Sequence, residues 1–128
     1  PAIQNSEIIL CDRYVDSTIV YQGLVGKIDE QKLFNLHDTY CYGLYPDLTL
    51  FLHLNPMIGL DRTNKRINKN EIRFEKQGLD YHQKILDGFN ILYKKHSKRI
   101  VKIDASESKE IISDNINYHV SELLNIND

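Results

Sequence analysis

Two oppositely charged residues, Asp12 and Arg13, directly follow the short apolar run EIILC (7–11). A carboxylate in such a place can hold a magnesium ion through water, and a guanidinium can clamp a phosphate with two parallel hydrogen bonds. An Asp–Arg ion pair that fixes the exit of a buried strand is the structural alternative. The residues therefore predict either phosphate chemistry or a strand-end ion pair at this position.

Three further side chains follow at helical spacing, namely Thr18, Tyr21 and Gln22. They offer a hydroxyl, an aromatic ring and an amide on one side of a helix, which is a suitable wall for a nucleoside. The alternative is that Tyr21 packs in the core.

A polar, arginine-rich segment lies in the middle of the chain. Residues 55–78, NPMIGLDRTNKRINKNEIRFEKQG, include Arg62, Arg66 and Arg73. Most charge runs are solvated helix faces with Glu–Lys pairs, and that is one interpretation. Guanidinium groups also suit bidentate contact with phosphate oxygens, and such a hairpin can close over a polyphosphate. Residues 62–76 are therefore predicted to form a lid, which favours phosphate chemistry at the charged pair.

Three short apolar runs are predicted to be buried strands: residues 7–11, 47–54 and 99–105. Helical patterns lie between and after them, and no linker, repeat or low-complexity tract divides the chain. This order predicts a single α/β domain, residues 1–128, with a parallel sheet covered by helices on both faces. The charged pair would then stand at the carboxyl end of a strand, where open α/β sheets bind their ligands.

Four helices are predicted from apolar periodicity and capping residues. Residues 29–42 have Asp29 as N-cap and Gly43 as the stop, and a second helix begins at Asn55-Pro56. The predicted apolar face of residues 29–42 holds Leu33, Leu36 and Tyr40. The long helix from Leu79 has a stripe of Leu79, Ile85, Leu86, Phe89, Leu92 and Tyr93. The last helix follows Ser106 or Ser108 and is predicted to bury Ile112, Ile116, Val120 and Leu123.

Composition excludes several classes of protein. A formal net charge of −2 over 128 residues argues against a general nucleic-acid or membrane-surface binder. No apolar run reaches the ~20 residues of a membrane helix, and PAIQNSE at the start is no secretion signal. Cys11 and Cys41, without a CxxC pair, predict reduced, mostly buried thiols in a cytosolic protein. The five histidines lack the spacing of a metal site.

Four blocks of this sequence resemble the bacterial thymidylate kinase family in order and spacing. They are CDRYVDSTIVYQG (11–23), GLYPDLTLFLHL (43–54), RFEKQGLDYHQKILDGF (73–89) and KIDASES (102–108). The resemblance implies a P-loop nucleoside-monophosphate kinase fold with a five-stranded parallel sheet, usually in a homodimer. It also implies transfer of the γ-phosphoryl group of ATP to dTMP with Mg²⁺, giving dTDP and ADP.

The resemblance assigns roles to individual residues. Asp12 would lie near the magnesium and the acceptor phosphate, and Arg13 on the dTMP phosphate. Thr18, Tyr21 and Gln22 would border the nucleoside. Arg62, Arg66 and Arg73 match the ATP-binding lid region, whose arginines neutralise the transferring phosphoryl group, and Ala105 matches the loop beside adenine. Among these, Arg13, Arg66 and Arg73 are the catalytic candidates.

The sequence departs from the family pattern in two places. Ile72 stands where the family often has Asp, and no G-x-x-x-x-G-K-[ST] motif occurs in the 128 residues. We therefore expect a C-terminal part of the enzyme that is inactive alone, with the P-loop strand lying upstream of Pro1 and a gap in the sheet at that strand's position. A deoxynucleoside kinase and a non-catalytic binding or dimerisation fragment are the alternatives.

Overall fold

The computed structural model of the chain describes residues 3–5, 7–64 and 78–125. After a 3-10 turn at Ile3–Asn5, the elements are α1 (Val15–Thr18), a π-helical segment (Ile19–Val25), α2 (Glu30–Tyr40), β1 (Thr49–His53), α3 (Pro56–Asn64), α4 (Leu79–Lys95), β2 (Ile100–Asp104) and α5 (Lys109–Leu124). Parallel strands among helices confirm the predicted α/β class. The elements form two compact units, Pro1–Leu44 and Tyr45–Asp128. That these units make a single domain stays a prediction.

The two predicted strands of the second unit are confirmed. β1 and β2 pair in parallel, in a register that runs from Thr49 opposite Ile100 to His53 opposite Asp104. The ladder continues past the ends of β2, because Thr49 N donates to the Arg99 carbonyl and Ala105 N to the His53 carbonyl, each at 2.8 Å. Parallel pairing brings the carboxyl ends of both strands to one edge of the sheet.

The predicted strand at residues 7–11 is wrong in this structure. The segment has no strand geometry, and Ile8 and Leu10 are 71% and 95% exposed. A strand is defined by its backbone hydrogen bonds to a neighbouring strand, and an apolar strand is buried only where other elements cover it. In the described part of the chain the sheet consists of β1 and β2 alone, and residues 7–11 are not among its strands.

The first unit has a small core made of helical residues. Val15, Ile19, Val20 and Leu33 are its buried apolar side chains. Asp29 caps α2 as predicted, since its Oδ1 accepts a hydrogen bond from Lys32 N at 3.0 Å.

The predicted apolar face of α2 is only partly right. Leu33 is buried, but Leu36 and Tyr40 are 54% and 73% exposed, and His37 takes the second buried position. The reason is that α2 packs mainly on the π-helical segment, and one neighbour covers only a narrow stripe of positions four apart.

The second unit builds its core between the sheet and α4. The buried apolar residues are Phe51, Ile85, Leu92, Ile100 and Ile103. The Phe51 and Phe89 rings stack with centroids 5.2 Å apart. The predicted stripe of α4 is confirmed at Ile85 and Leu92, whereas Leu79 at the start of the helix is 43% exposed.

Local capping signals of the second unit are confirmed, but the burial predicted for α5 is wrong. The Asn55 side chain accepts from Met57 N at 2.9 Å, and Ser108 Oγ accepts from Ile111 N at 3.3 Å. No residue of α5 is fully buried: Ile112, Ile116 and Val120 are half-buried and Leu123 is 45% exposed. The helix α5 packs mainly on β2, and a single strand is too narrow to cover the apolar stripe of α5.

None of the helices within residues 3–5, 7–64 and 78–125 has the length and apolar character needed to cross a membrane.

Candidate functional site

The chain enters the first unit's helix through a strained turn at Arg13. Its φ is +64°, in the left-handed region, which L-residues other than glycine, asparagine and aspartate rarely adopt. The Cys11 thiol lies 3.5 Å from the Arg13 carbonyl oxygen, to which it donates. Strained backbone of this kind persists only where the surroundings fix it, and it concentrates at functional sites.

A cleft of ≈ 410 Å³ opens beside this turn. Its lining residues are Arg13, Tyr14, Val15, Ser17, Thr18, Tyr21, Gln22, His37 and Cys41. Four of the five residues predicted to meet the substrate, Arg13, Thr18, Tyr21 and Gln22, therefore lie together. The fifth, Asp12, is exposed and does not line the cleft.

The π-helical segment sets the wall of the cleft that carries Tyr21 and Gln22. Gly26 N donates to the Tyr21 carbonyl at 3.0 Å, a bond that spans five residues. A Cβ on Gly26 would lie 2.6 Å from the Gln22 carbonyl oxygen, so only glycine fits where this segment ends. π-helical turns are rare and are frequent at functional sites.

The Arg13 guanidinium lies over the Tyr21 ring, with its Cζ 5.3 Å from the ring centroid. A cation above an aromatic face is attracted by the ring's electrons, which restricts where the guanidinium can point. The cleft therefore joins a held positive charge to an aromatic surface. An anion attached to a planar group, such as a phosphate on a nucleoside, has the matching chemistry.

Sequence reasoning missed three residues that also line the cleft, namely Tyr14, His37 and Cys41. The Tyr14 hydroxyl donates to the Leu44 carbonyl at 3.2 Å, and His37 Nε2 lies 2.7 Å from the same oxygen. Burial raises the pKa of the Tyr14 phenol, and the neighbouring Cys41 thiol adds to this rise. Tyr14 lies within the quoted CDRY block, but nothing in the sequence pattern pointed to His37 or Cys41.

Both cysteines are free thiols. Cys41 is half-buried, but Cys11 is exposed, so the prediction of two mostly buried thiols is wrong for Cys11. Cys11 is the last residue of segment 7–11, which forms no strand and is exposed throughout.

A second cluster of predicted residues lies in the second unit, after β2. Arg62 donates from Nη1 to the Ala105 carbonyl at 3.0 Å and from Nη2 to the Ser106 carbonyl at 3.2 Å. Hydrogen bonds from the Ser106 hydroxyl and amide lower the pKa of the Asp104 carboxyl and close a tight turn. The structure thus brings Arg62 and Ala105 together. Arg66 and Arg73, with most of the predicted lid, lie outside the described residues.

The predicted magnesium ion needs oxygen ligands from the protein. Among the described residues, no group of three or more His, Cys, Asp or Glu side chains could hold a metal by itself. The exposed carboxylate of Asp12 still fits Mg²⁺, because this ion keeps several waters and is usually held by one or two carboxylates and the substrate's phosphates.

Two parallel strands among helices define an α/β protein. A family model described as thymidylate kinase matches residues 1–116, and the chain belongs to the thymidylate kinase family. This family has the P-loop nucleoside-monophosphate kinase fold.

Individual relatives support the assignment. The chain is 42% identical to thymidylate kinase of Rickettsia bellii over 107 residues, which cover 84% of this chain and 51% of the relative. It is 31% identical to that of Halalkalibacterium halodurans over 115 residues, which cover 89% and 55%. It is 33% identical to that of Staphylococcus haemolyticus over 125 residues, which cover 98% and 60%. The chain thus spans about half the length of the curated relatives it matches.

Proposed function

We propose that the protein of this chain transfers the γ-phosphoryl group of ATP to a phosphate oxygen of dTMP, giving dTDP and ADP. A dTMP oxygen forms the new bond to the γ-phosphorus while the bond to the β-phosphate oxygen breaks. Family membership supports the reaction. The observation that carries the proposal is the cleft in which Arg13 lies over Tyr21, because a held cation beside an aromatic wall suits a nucleoside monophosphate.

On the acceptor side, Arg13 binds the phosphate of dTMP through charge-assisted hydrogen bonds. Thr18, Tyr21 and Gln22 border the nucleoside with a hydroxyl, a ring and an amide. This arrangement is supported by their common position along one cleft. A fixed acceptor phosphate turns the transfer into a reaction between positioned groups, which accounts for a large part of the rate in phosphoryl transfer.

On the donor side, Arg62 and the loop that begins at Ala105 border the ATP base, while Arg66 and Arg73 stabilise charge on the moving phosphoryl group. The bonds from Arg62 to the carbonyls of Ala105 and Ser106 support a preformed loop. Asp12 would hold Mg²⁺ through water. When bound, this ion would supply positive charge that offsets the negative charge developing on the ATP phosphates.

The 128 residues contain no P-loop motif, and the backbone amides of a P-loop provide much of the positioning and charge stabilisation in this reaction. The chain alone therefore binds dTMP without turnover, and catalysis needs a P-loop from another segment. For the whole protein we also propose a cytoplasmic homodimer, as the resemblance implies.

Two measurements test the proposal. In the first, dTMP, dCMP, dGMP and AMP are titrated into the 128-residue chain by calorimetry. We expect dTMP to bind most tightly, since Tyr21 and Gln22 form the nucleoside wall. Equal affinity for AMP would contradict thymidylate as the acceptor but not a nucleotide kinase in general.

In the second, the chain is fused to the part of the Rickettsia bellii thymidylate kinase that it does not match. The fusion should form ADP from ATP only when dTMP is present, whereas the chain alone should not. The matched control carries Arg13→Ala in the same fusion. Phosphorylation of thymidine instead of dTMP would identify a deoxynucleoside kinase. No turnover in a folded fusion would leave a binding fragment.

A further inference from the structure

His37 lies one turn before the end of α2 and lines the cleft, although no sequence pattern identified it. Only 9% of its surface is exposed, and its Nε2 is 2.7 Å from the Leu44 carbonyl oxygen. A carbonyl can only accept a hydrogen bond, so Nε2 carries the proton and donates it. This short bond connects α2 to the chain that follows it.

Tyr14 is held by the same carbonyl oxygen. Its hydroxyl donates to Leu44 at 3.2 Å, and its ring meets the His37 ring edge to face, with centroids 5.3 Å apart. Edge-to-face pairing is a favoured geometry for aromatic rings and restricts both of them. The two side chains and this carbonyl therefore form one clasp, which we call the Tyr14–His37 clasp.

Arg13 directly precedes Tyr14 in the chain, so the clasp fixes the residue next to Arg13. The Tyr14 carbonyl accepts hydrogen bonds from Ser17 N at 3.0 Å and Thr18 N at 3.3 Å, so Tyr14 also begins α1. Arg13 keeps a φ of +64° between this fixed joint and its contact with Tyr21. Such a conformation persists only when its surroundings over-determine it.

We propose that His37 is a positioning residue for Arg13: by clasping Tyr14 it holds the left-handed turn and aims the guanidinium at the acceptor phosphate. His37 itself does not touch the phosphate in this account. The identity of the ligand, dTMP, rests on the proposed function.

The test separates phosphate binding from nucleoside binding. The ratio of the thymidine Kd to the dTMP Kd reports the contribution of the phosphate, and hence of Arg13. His37→Leu removes the N–H that donates to the Leu44 carbonyl and leaves an apolar side chain in its place. The ratio should then fall about fivefold, the effect expected for the loss of one hydrogen bond that positions the Arg13 guanidinium. Thymidine affinity should stay within about twofold. His37→Gln, which places an N–H near the same point, should restore the ratio.

A matched control and a double mutant isolate the effect. Leu33→Ala removes a buried side chain one turn earlier on α2 that does not line the cleft. It should lower stability and leave the ratio unchanged. In an Arg13→Ala background, His37→Leu should not change the ratio further, because there is no guanidinium left to aim.

Two results would overturn the proposal: an unchanged ratio in His37→Leu, or equal losses of thymidine and dTMP affinity, which would indicate a structural role alone.

A parent chain without preference for dTMP over thymidine would count against the proposed function instead. In that case, amide hydrogen exchange at residues 14–18 decides about His37. Faster exchange in His37→Leu than in Leu33→Ala at matched stability supports the clasp, and equal exchange refutes it.

Discussion

The two compact units of the chain bury their small cores in different ways. Tyr45–Asp128 packs α4 against two paired strands, with Phe51, Leu92 and Ile103 inside. Pro1–Leu44 has no paired strand among its described residues and packs two helical segments around Ile19 and Val20 instead. Its apolar segment at residues 7–11 stays exposed.

The units also differ in where their backbone is strained. Arg13, Lys27 and Tyr42, three of the four non-glycine residues described with positive φ, lie in the first unit. The fourth, Asn125, sits at the C-cap of α5, where a left-handed residue is ordinary. The lesson is that the second unit follows local rules, whereas the first unit departs from them at Arg13, a residue that lines the cleft.

The largest expected effect concerns the core of the second unit. Leu92→Ala should lower the free energy of unfolding by about 3 kcal/mol, because a fully buried side chain is replaced by a cavity. Leu52→Ala on β1, where the side chain is 52% exposed, is the control and should change it by less than about 0.5 kcal/mol. Chemical denaturation measures both. Similar losses for the two variants would show that the core does not lie between α4 and the sheet.

The next effect tests whether strain and binding coincide in the first unit. Arg13→Ala and Arg13→Gly should each weaken dTMP binding by about 2 kcal/mol, since both remove a charge-assisted contact. The glycine variant should be the more stable of the two by about 1 kcal/mol, because glycine accepts the left-handed conformation without a Cβ clash. Calorimetry and denaturation measure the two quantities. If the alanine variant were the more stable, the turn would not be strained.

A smaller effect compares the helix caps of the two units. Asp29→Ala and Ser108→Ala should each cost about 1 kcal/mol of stability, because each leaves a backbone amide of the first turn without its acceptor. Asparagine caps helices as well as either residue, so Asp29→Asn and Ser108→Asn are the controls and should be nearly neutral. A loss in the asparagine variants equal to that in the alanine variants would assign the effect to another property of these side chains.

The smallest effect is a pH dependence confined to the second unit. Burial, with Lys102 nearby, lowers the pKa of His53 from its usual 6.5. The folded protein therefore disfavours the protonated imidazole. The neutral His53 imidazole therefore contributes to the free energy of unfolding in full above pH 6.5. This contribution is lost as the pH falls through the lower pKa of the folded state. Denaturation at several pH values between about 7.5 and 5 should show this decline, and His53→Gln should remove it. A raised imidazole pKa in an NMR titration would reverse the sign.

The sequence by itself determined the features that depend on neighbouring residues. The caps at Asp29, Asn55 and Ser108 were predictable, because a cap is a bond between residues two or three positions apart. β1 and β2 were predictable from their short apolar runs, although each is shorter than its predicted range. The specific spacing of the CDRYVDSTIVYQG block indicated the family and four residues of the cleft.

Only the tertiary structure decided what depends on distant residues. Residues 7–11 have the composition of a strand, but pairing is a contact between segments, and composition does not supply a partner. Leu36 was predicted on the buried face of α2 but is exposed, and His37 is buried instead. The face of a helix that is covered depends on the element that packs there. His37 reaches Tyr14 only through folding, and the Arg13 guanidinium likewise meets the Tyr21 ring only in the folded chain. Periodicity records which side chains are apolar, whereas the geometry of the cleft arises from which surfaces meet.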